Sequence, residues 1–411
     1  MPTFFPPDVF HLFGSNVPSL LWSTFTNHQD GDPFTLSEEQ QELFASMLES
    51  SGSDLPTSFS ASKPRDPCTN SNSHYKMFEW SLVTYLYLPS FLYAIDAPLP
   101  VVKMVCDLTE GVRLAMSSDG VLAPDLQNME DRFVDFVEAW ERLYVRRQPH
   151  LLSRATISIH QLLHISDFVY AHGSPRNTSQ ARCEREVGLL KRMLRSHKQP
   201  FTGIINHIRQ NEHLRLLDLL LDDAEDNEDR PPLTLSTSIS SRHRALTQVE
   251  QNMEVLLIEG FQRQGFVPTP LPDFVRRGKI KLSAKTSIRG AQIESQGMRK
   301  TSRFAAHSDQ GIIYGEAVYF LSFDERPREV NAGQGGDGND DDDEEEVEAG
   351  RAFVVFRILE DVVAADGIIR GRWQERYSIL DVRAIIEPIG IFELGGYIYV
   401  LRHLSWLTEH V

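Results

Sequence analysis

The sequence predicts an α+β protein, with a mostly helical N-terminal two thirds followed by a small antiparallel β-sheet or barrel. Three observations carry this. Up to Leu221, large apolar residues recur at spacings of three and four, the period of a helix with one buried face. Beyond Pro272 they fall in short runs of period two, punctuated by Gly278, Gly290, Gly311, Gly367, Gly371, Gly395 and Gly396. Between the two regimes lie an acidic, Pro-containing run, Asp222 to Pro232, and a Pro-rich corner at Pro268, Pro270 and Pro272.

Taken in order, Asn27 to Pro33 reads as a loop because Asn, Asp, Gly and Pro cluster there. Ser37 and Gln40 form a capping box ahead of Leu43, Phe44, Met47 and Leu48, so a helix starts at that point. Glu49 to Asn72 is rich in Ser, Pro, Asn and Asp and reads as an irregular connection. Met77 to Tyr93 and Val101 to Met116 are buried helices, the second announced by Pro98 and Pro100. Phe133, Phe136, Val137, Trp140, Leu143 and Tyr144 make an amphipathic helix, and Ile157 to Tyr170 another. Cys183, Val187, Leu190 and Leu194 share one helical stripe, while Glu184, Gly188, Lys191 and Arg195 share a second, polar one. His213 to Leu221 extends the helical part, and Leu246 to Leu257 adds a linking helix. Strands are expected at 279–282, 312–323, 352–359, 372–379 and 397–403. The implied organisation is 1–72, 73–228 (helical), 229–272 (linker helix and corner) and 273–411 (β-rich), with an acidic insertion at 331–350 between two strands.

Charge is distributed unevenly along the 411 residues. The formal net charge is −17, but Asp337 to Glu348 alone holds nine acidic residues, leaving −8 for the remainder. That tract repels itself and, with its flanking glycines, reads as a disordered loop. Arg276 to Arg303 shows the reverse, nine Lys or Arg against Glu294, a net +8. Such a segment attracts phosphates, through Arg276, Arg277, Lys279, Lys281, Lys285 and Arg289, or forms a solvated face, or docks on the acidic tract of its own chain. In the first of its strands Lys279 and Lys281 alternate with Ile280 and Leu282, basic on one face and apolar on the other.

The longest apolar run, Trp80 to Tyr93, is broken by Thr84 and Pro89 and falls short of the roughly 20 residues a spanning helix needs, so no membrane partner is expected. The first ten residues lack a basic region followed by an apolar one, which points to an intracellular, non-secreted protein. Cys68, Cys106 and Cys183 are too scattered for a disulfide framework or a zinc knuckle and read as reduced thiols. No GxxxxGK[ST], GxSxG or HExxH pattern occurs, and the one GxGxxG, at Gly333, Gly335 and Gly338, opens no helix. His160 and His164, spaced i, i+4 among isoleucines and leucines, read first as packed, hydrogen-bonded histidines and second as zinc ligands wanting a third.

Several segments together resemble fungal transposases of the CACTA type (Plavaka-like), members of the DDE group with an RNase H-like core. They are Asp8-Val9-Phe10-His11-Leu12-Phe13, His160-Gln161-Leu162-Leu163-His164-Ile165, Gly173-Ser174-Pro175 and Glu184-Arg185-Glu186-Val187-Gly188-Leu189-Leu190, in the family's order. Arg195 to Pro200 and the strand-rich end with Gly278-Lys279-Ile280-Lys281 resemble the family as well. The resemblance implies a partial RNase H-like core with a helical insertion and a nuclear location. It gives Asp8 and His11 the role of the family's DxxH at the active-site side, and Glu184 that of the last acidic, metal-binding member of a catalytic triad. Such a triad holds two divalent cations, Mg²⁺ or Mn²⁺, for in-line attack on a phosphodiester. Gly188 would admit a sugar-phosphate backbone that Lys191 and Arg195 neutralise.

The departures set the expected activity. Only seven residues precede Asp8, where the family has a first strand and two aspartates, and Arg176 to Gln180 is polar where the family is apolar. One carboxylate does not anchor two cations. The expectation is therefore a truncated, transposase-derived protein that is non-catalytic on its own and binds DNA through its basic β-rich domain. Two alternatives stand beside it: a metal-dependent strand-transferring enzyme completed by upstream sequence or another chain, and a protein-interaction module without nucleic acid.

Overall fold

The computed structural model of the chain describes residues 6–60, 62–70, 75–117, 121–193, 200–222, 236–238, 274–277, 279–283, 286–289, 291, 299–323, 346–348 and 352–404. It is α+β, as the periodicities predict. Among the described residues up to 222 every regular element is helical.

Helix α1 (residues 9–26) begins where the Asp8 carboxylate accepts the Phe10 N–H. Helix α2 (Glu38–Ser51) starts with the expected capping box: the Ser37 hydroxyl accepts from Gln40 N and the Gln40 side chain accepts from Ser37 N. Helices α3 (residues 77–94), α4 (Leu99–Ala115, with Pro98 and Pro100 at its start) and α5 (residues 123–145) complete the main bundle. Three of these helices contain a wide π-turn, at Leu12–Asn16, Leu82–Tyr87 and Glu141–Val145, which no hydrophobic pattern announces. Phe13, Phe25, Phe44, Phe91, Phe133, Phe136 and Trp140 are fully buried between them. Burial at this level stabilises by roughly 1.5–3 kcal/mol per large apolar side chain. The polar tips inside the bundle are satisfied: Tyr85 Oη donates to Phe13 O, Trp140 Nε1 to Arg154 O, and Tyr144 Oη to Phe34 O.

Ile157 to Tyr170 forms two helices where one is expected, α6 (Ile157–Leu162) and α7 (Ile165–His172). Leu163 and His164 break it by closing tighter turns onto His160 O and Gln161 O. Helix α8 (Ala181–Met193) and helix α9 (Pro200–Asp222) also form, but Cys183, Val187, Phe201, Leu214, Leu216 and Leu217 on them are exposed. Their apolar residues predict the helices correctly, and these six side chains face solvent. In α9 those residues run round much of the circumference, so no single surface covers them. The helix expected at Leu246 to Leu257 and the Pro-rich corner lie outside the described residues.

The C-terminal part is one curled antiparallel sheet. Its strands are β1 (Phe274–Arg277), β4 (Arg303–Ser308), β5 (Gly311–Phe323), β6 (Ala352–Ala365), β7 (Ile368–Asp381), β8 (Ile385–Pro388), β9 (Gly390–Leu394) and β10 (Tyr397–Leu401), with a separate hairpin of β2 (Lys279–Ser283) and β3 (Thr286–Arg289). The order is β8-β4-β5-β6-β7-β10-β9, with β1 also on β5. Strands β8 and β9 stand at opposite ends of that order, yet only Ile389 separates them in the chain. The sheet is therefore rolled until its two edges nearly meet, the barrel-like outcome the short, Gly-punctuated runs predict. Ala305, Tyr314, Leu359, Ile369, Ile389, Ile391, Ile398 and Val400 from both ends of the order share one apolar cluster, which that curvature requires. Strands β5 and β6 pair directly, and the acidic tract lies between them in the chain. Of the tract itself only Glu346–Glu348 is described, as a strand paired with Ser236–Ser238.

The helices and the sheet share a core. Alternate residues of β9 and β10, Phe392, Tyr399 and Leu401, belong to the same cluster as the bundle, and the Phe392 and Tyr399 rings stack at 4.8 Å.

Candidate nucleic-acid interface

Asp8 and His11 lie one turn apart at the start of α1, and the His11 ring bonds the Asp8 carboxylate through Nδ1. The other Asp8 oxygen accepts from Phe10 N and from Gln180 N, both at 3.1 Å. Gln180 immediately precedes α8, so Asp8, the N-cap of α1, also fastens the entry to the helix that carries Glu184 in its first turn. Asp8, His11 and the start of the helix that carries Glu184 are thus brought to one corner of the bundle. Glu184 and Lys191 are exposed on α8, and the Asp8 carboxylate accepts from two backbone N–H groups and bonds one imidazole. Among the described residues no group of three or more His, Cys, Asp or Glu is arranged to hold a metal ion. Glu184 and Asp8 therefore do not make, within these residues, the clustered donor set that two hard cations need. Arg195 lies outside the described residues.

The basic segment divides between two jobs. Arg299, Lys300 and Arg303 turn inward to the loop after α2: the Arg299 guanidinium donates to Ser60 O, and both Lys300 and Arg303 pair with Asp54. Arg303 is buried and also faces Glu316 at 3.3 Å, and Glu316 in turn accepts from Arg357 at 2.8 Å. Burial holds the Arg299 guanidinium below its usual pKa. These three cations are already engaged within the fold, which alternation in the sequence does not reveal because their partners lie some 240 positions away.

The other job falls to the β2–β3 hairpin. Its register sets Lys279 opposite Arg289, Ile280 opposite Ile288 and Lys281 opposite Ser287. Ile288 is fully buried, in the cluster formed by Phe304, Phe320, Val354 and Phe356. Lys279 and Arg289 therefore stand directly opposite each other in the ladder, with Lys281 two residues further along the same strand. On β1, Arg276 pairs with Leu321 and Arg277 with Phe320. Lys285 lies outside the described residues.

A cleft of about 800 Å³ opens between α3, α4, α5 and the β7–β10 side of the sheet. Its arginines are already matched: Arg113 with Glu110 at 2.6 Å, Arg132 with Asp107 at 2.7 Å and Arg402 with Glu387 at 2.7 Å. Burial pushes the Cys106 thiol on its wall up to about 12, helped by Asp366 and Asp107, so the cleft offers no thiolate near neutral pH. No helix among the described residues is long and apolar enough to cross a membrane. Comparison with protein-family models, with curated proteins and with solved structures finds no match for this chain.

Proposed function

We propose that this chain is a transposase-derived protein that holds DNA through its phosphates and leaves the strands uncut, with the β2–β3 hairpin as its principal contact. One observation supports the reading, the hairpin register: it pairs Lys279 with Arg289 and sets Lys281 two residues along the same strand, while Ile288 is buried in the sheet's core. Cations at alternate positions of a strand, about 6–7 Å apart, suit a run of backbone phosphates. The net +8 of the Arg276 to Arg303 segment in an otherwise acidic chain favours the same partner, although Arg299, Lys300 and Arg303 serve the fold. Strand cleavage draws less support from the described residues, because Glu184 is exposed and Asp8 is engaged as a cap.

Duplex DNA is expected to bind with an affinity that falls steeply as salt rises, since each neutralised phosphate releases condensed counterions. Replacing both Lys279 and Lys281 by Ala is expected to make the plot of log affinity against log salt shallower by about two, one for each phosphate that then keeps its counterion. Fluorescence anisotropy on a labelled duplex across a salt series reads this directly. An unchanged slope in the double variant rejects the hairpin as the binding surface.

A further inference from the structure

The two histidines of the α6–α7 junction are not packed in the core: His160 is exposed and the His164 side chain is 28 % exposed. Their Nε2 atoms approach to 3.3 Å, with the rings nearly perpendicular at 80°. Zinc bound by imidazole has Zn–N distances of about 2.0–2.1 Å, and a tetrahedral angle at those distances sets two ligating nitrogens about 3.3–3.4 Å apart. The pair is therefore already spaced as one edge of a zinc tetrahedron.

The backbone holds that spacing. Thr156 caps α6 through Ile159 N, His164 N closes a turn onto Gln161 O, and Phe168 N bonds His164 O as α7 begins. Ile159, Leu162 and Ile165, all buried, pin both sides of the junction to the bundle. Behind His164, Asp167 Oδ2 stands 3.7 Å from Nδ1. A cation at the paired Nε2 atoms needs both lone pairs, so each ring must then carry its proton on Nδ1; on His164 that proton faces a carboxylate, the arrangement that fixes tautomer and orientation in metal-ligating histidines.

We propose that His160 and His164 form a solvent-accessible two-histidine site for zinc, with Asp167 as a positioning residue and water filling the remaining coordination positions. The site lies on the helical bundle, apart from the basic hairpin, and stands or falls independently of DNA binding.

The full chain, stripped with chelator and titrated with zinc chloride by isothermal calorimetry, tests this. One zinc equivalent is expected to disappear in His160→Ala and in His164→Ala, with no further loss when both are replaced, because two ligands serve one ion. Asp167→Asn is expected to keep the stoichiometry and weaken that site about tenfold or more. Circular dichroism checks that the variants stay folded, which the exposure of His160 favours. Wild-type stoichiometry and affinity in His160→Ala would overturn the proposal and assign the zinc to other histidines. A change in thermal midpoint without any change in zinc binding would also overturn it, leaving the ring contact as a brace between two helices.

Discussion

At the scale of single residues, the groups that decide stability are buried charges placed where the sequence shows only a loop. Asp32 sits in the Asn27 to Pro33 turn, its side chain wholly buried, and accepts from Arg154 Nη1 at 2.7 Å and Nη2 at 2.9 Å. Burial alone pushes the Asp32 carboxyl up, but the Arg154 bonds, the Gln29 N–H and the charges of Arg154 and Arg146 outweigh it, so its pKa lies below the ordinary 3.8. Because the folded value is the lower one, the pair's contribution is fully present above the unfolded pKa and is lost as pH falls through about 4 and below. Asp32→Ala leaves Arg154 buried without its carboxylate and is expected to cost about 3–5 kcal/mol at pH 7. Urea titration at pH 7 and at pH 3 checks both the size and the sign: the gap between variant and wild type must narrow in acid.

At the scale of elements, the sequence was legible wherever a local rule sufficed. The Ser37–Gln40 box, the prolines before α4, the 3–4 spacing of α5 and the alternation of β5 and β10 each determine structure within a few neighbouring residues, and each appears in place. What was not legible depends on distant partners. The π-turns, the inward fate of Arg299 and Arg303, and the bare faces of α8 and α9 follow from what packs alongside, which spacing does not encode. The candidate site divides the same way: the Lys279 and Lys281 alternation is local, whereas Asp8 meeting Gln180 spans 172 positions. Two glycines put the distinction to a test. A Cβ on Gly111 would lie 2.9 Å from the buried Phe133 ring, whereas one on Gly188 meets nothing within 4 Å. Alanine favours a helix over glycine by about 1 kcal/mol, but overpacking costs about 1–3 kcal/mol. Gly111→Ala is therefore expected to lower the urea midpoint and Gly188→Ala to raise it; a rise in both would mean that α4 and α5 pack less closely than the structure has them.

At the scale of the whole molecule, an apolar contact and a polar one both join the helical bundle to the rolled sheet among the described residues, and they fail differently. One is apolar and continuous: Ile368, Phe392, Tyr399 and Leu401 lie in the bundle's own core. The other is a polar clamp at the loop after α2, where Asp54 pairs with Arg303 and with Lys300 at 3.0 Å, Lys300 N donates to Ser53 O at 2.7 Å, and Ile391 N to Asp54 O at 3.3 Å. Asp54→Ala removes one carboxylate from the buried Arg303 but leaves Glu316 beside it, so the loss should fall near the low end for a broken buried pair, about 3 kcal/mol. Since the apolar core remains shared, the unfolding transition is expected to stay single and its midpoint to drop by several degrees. Differential scanning calorimetry distinguishes the alternatives. Two resolved endotherms in Asp54→Ala would mean that the ionic clamp, and not the common core, makes bundle and sheet unfold as one unit, and the sheet would then be a separable body on which the basic hairpin could be studied alone.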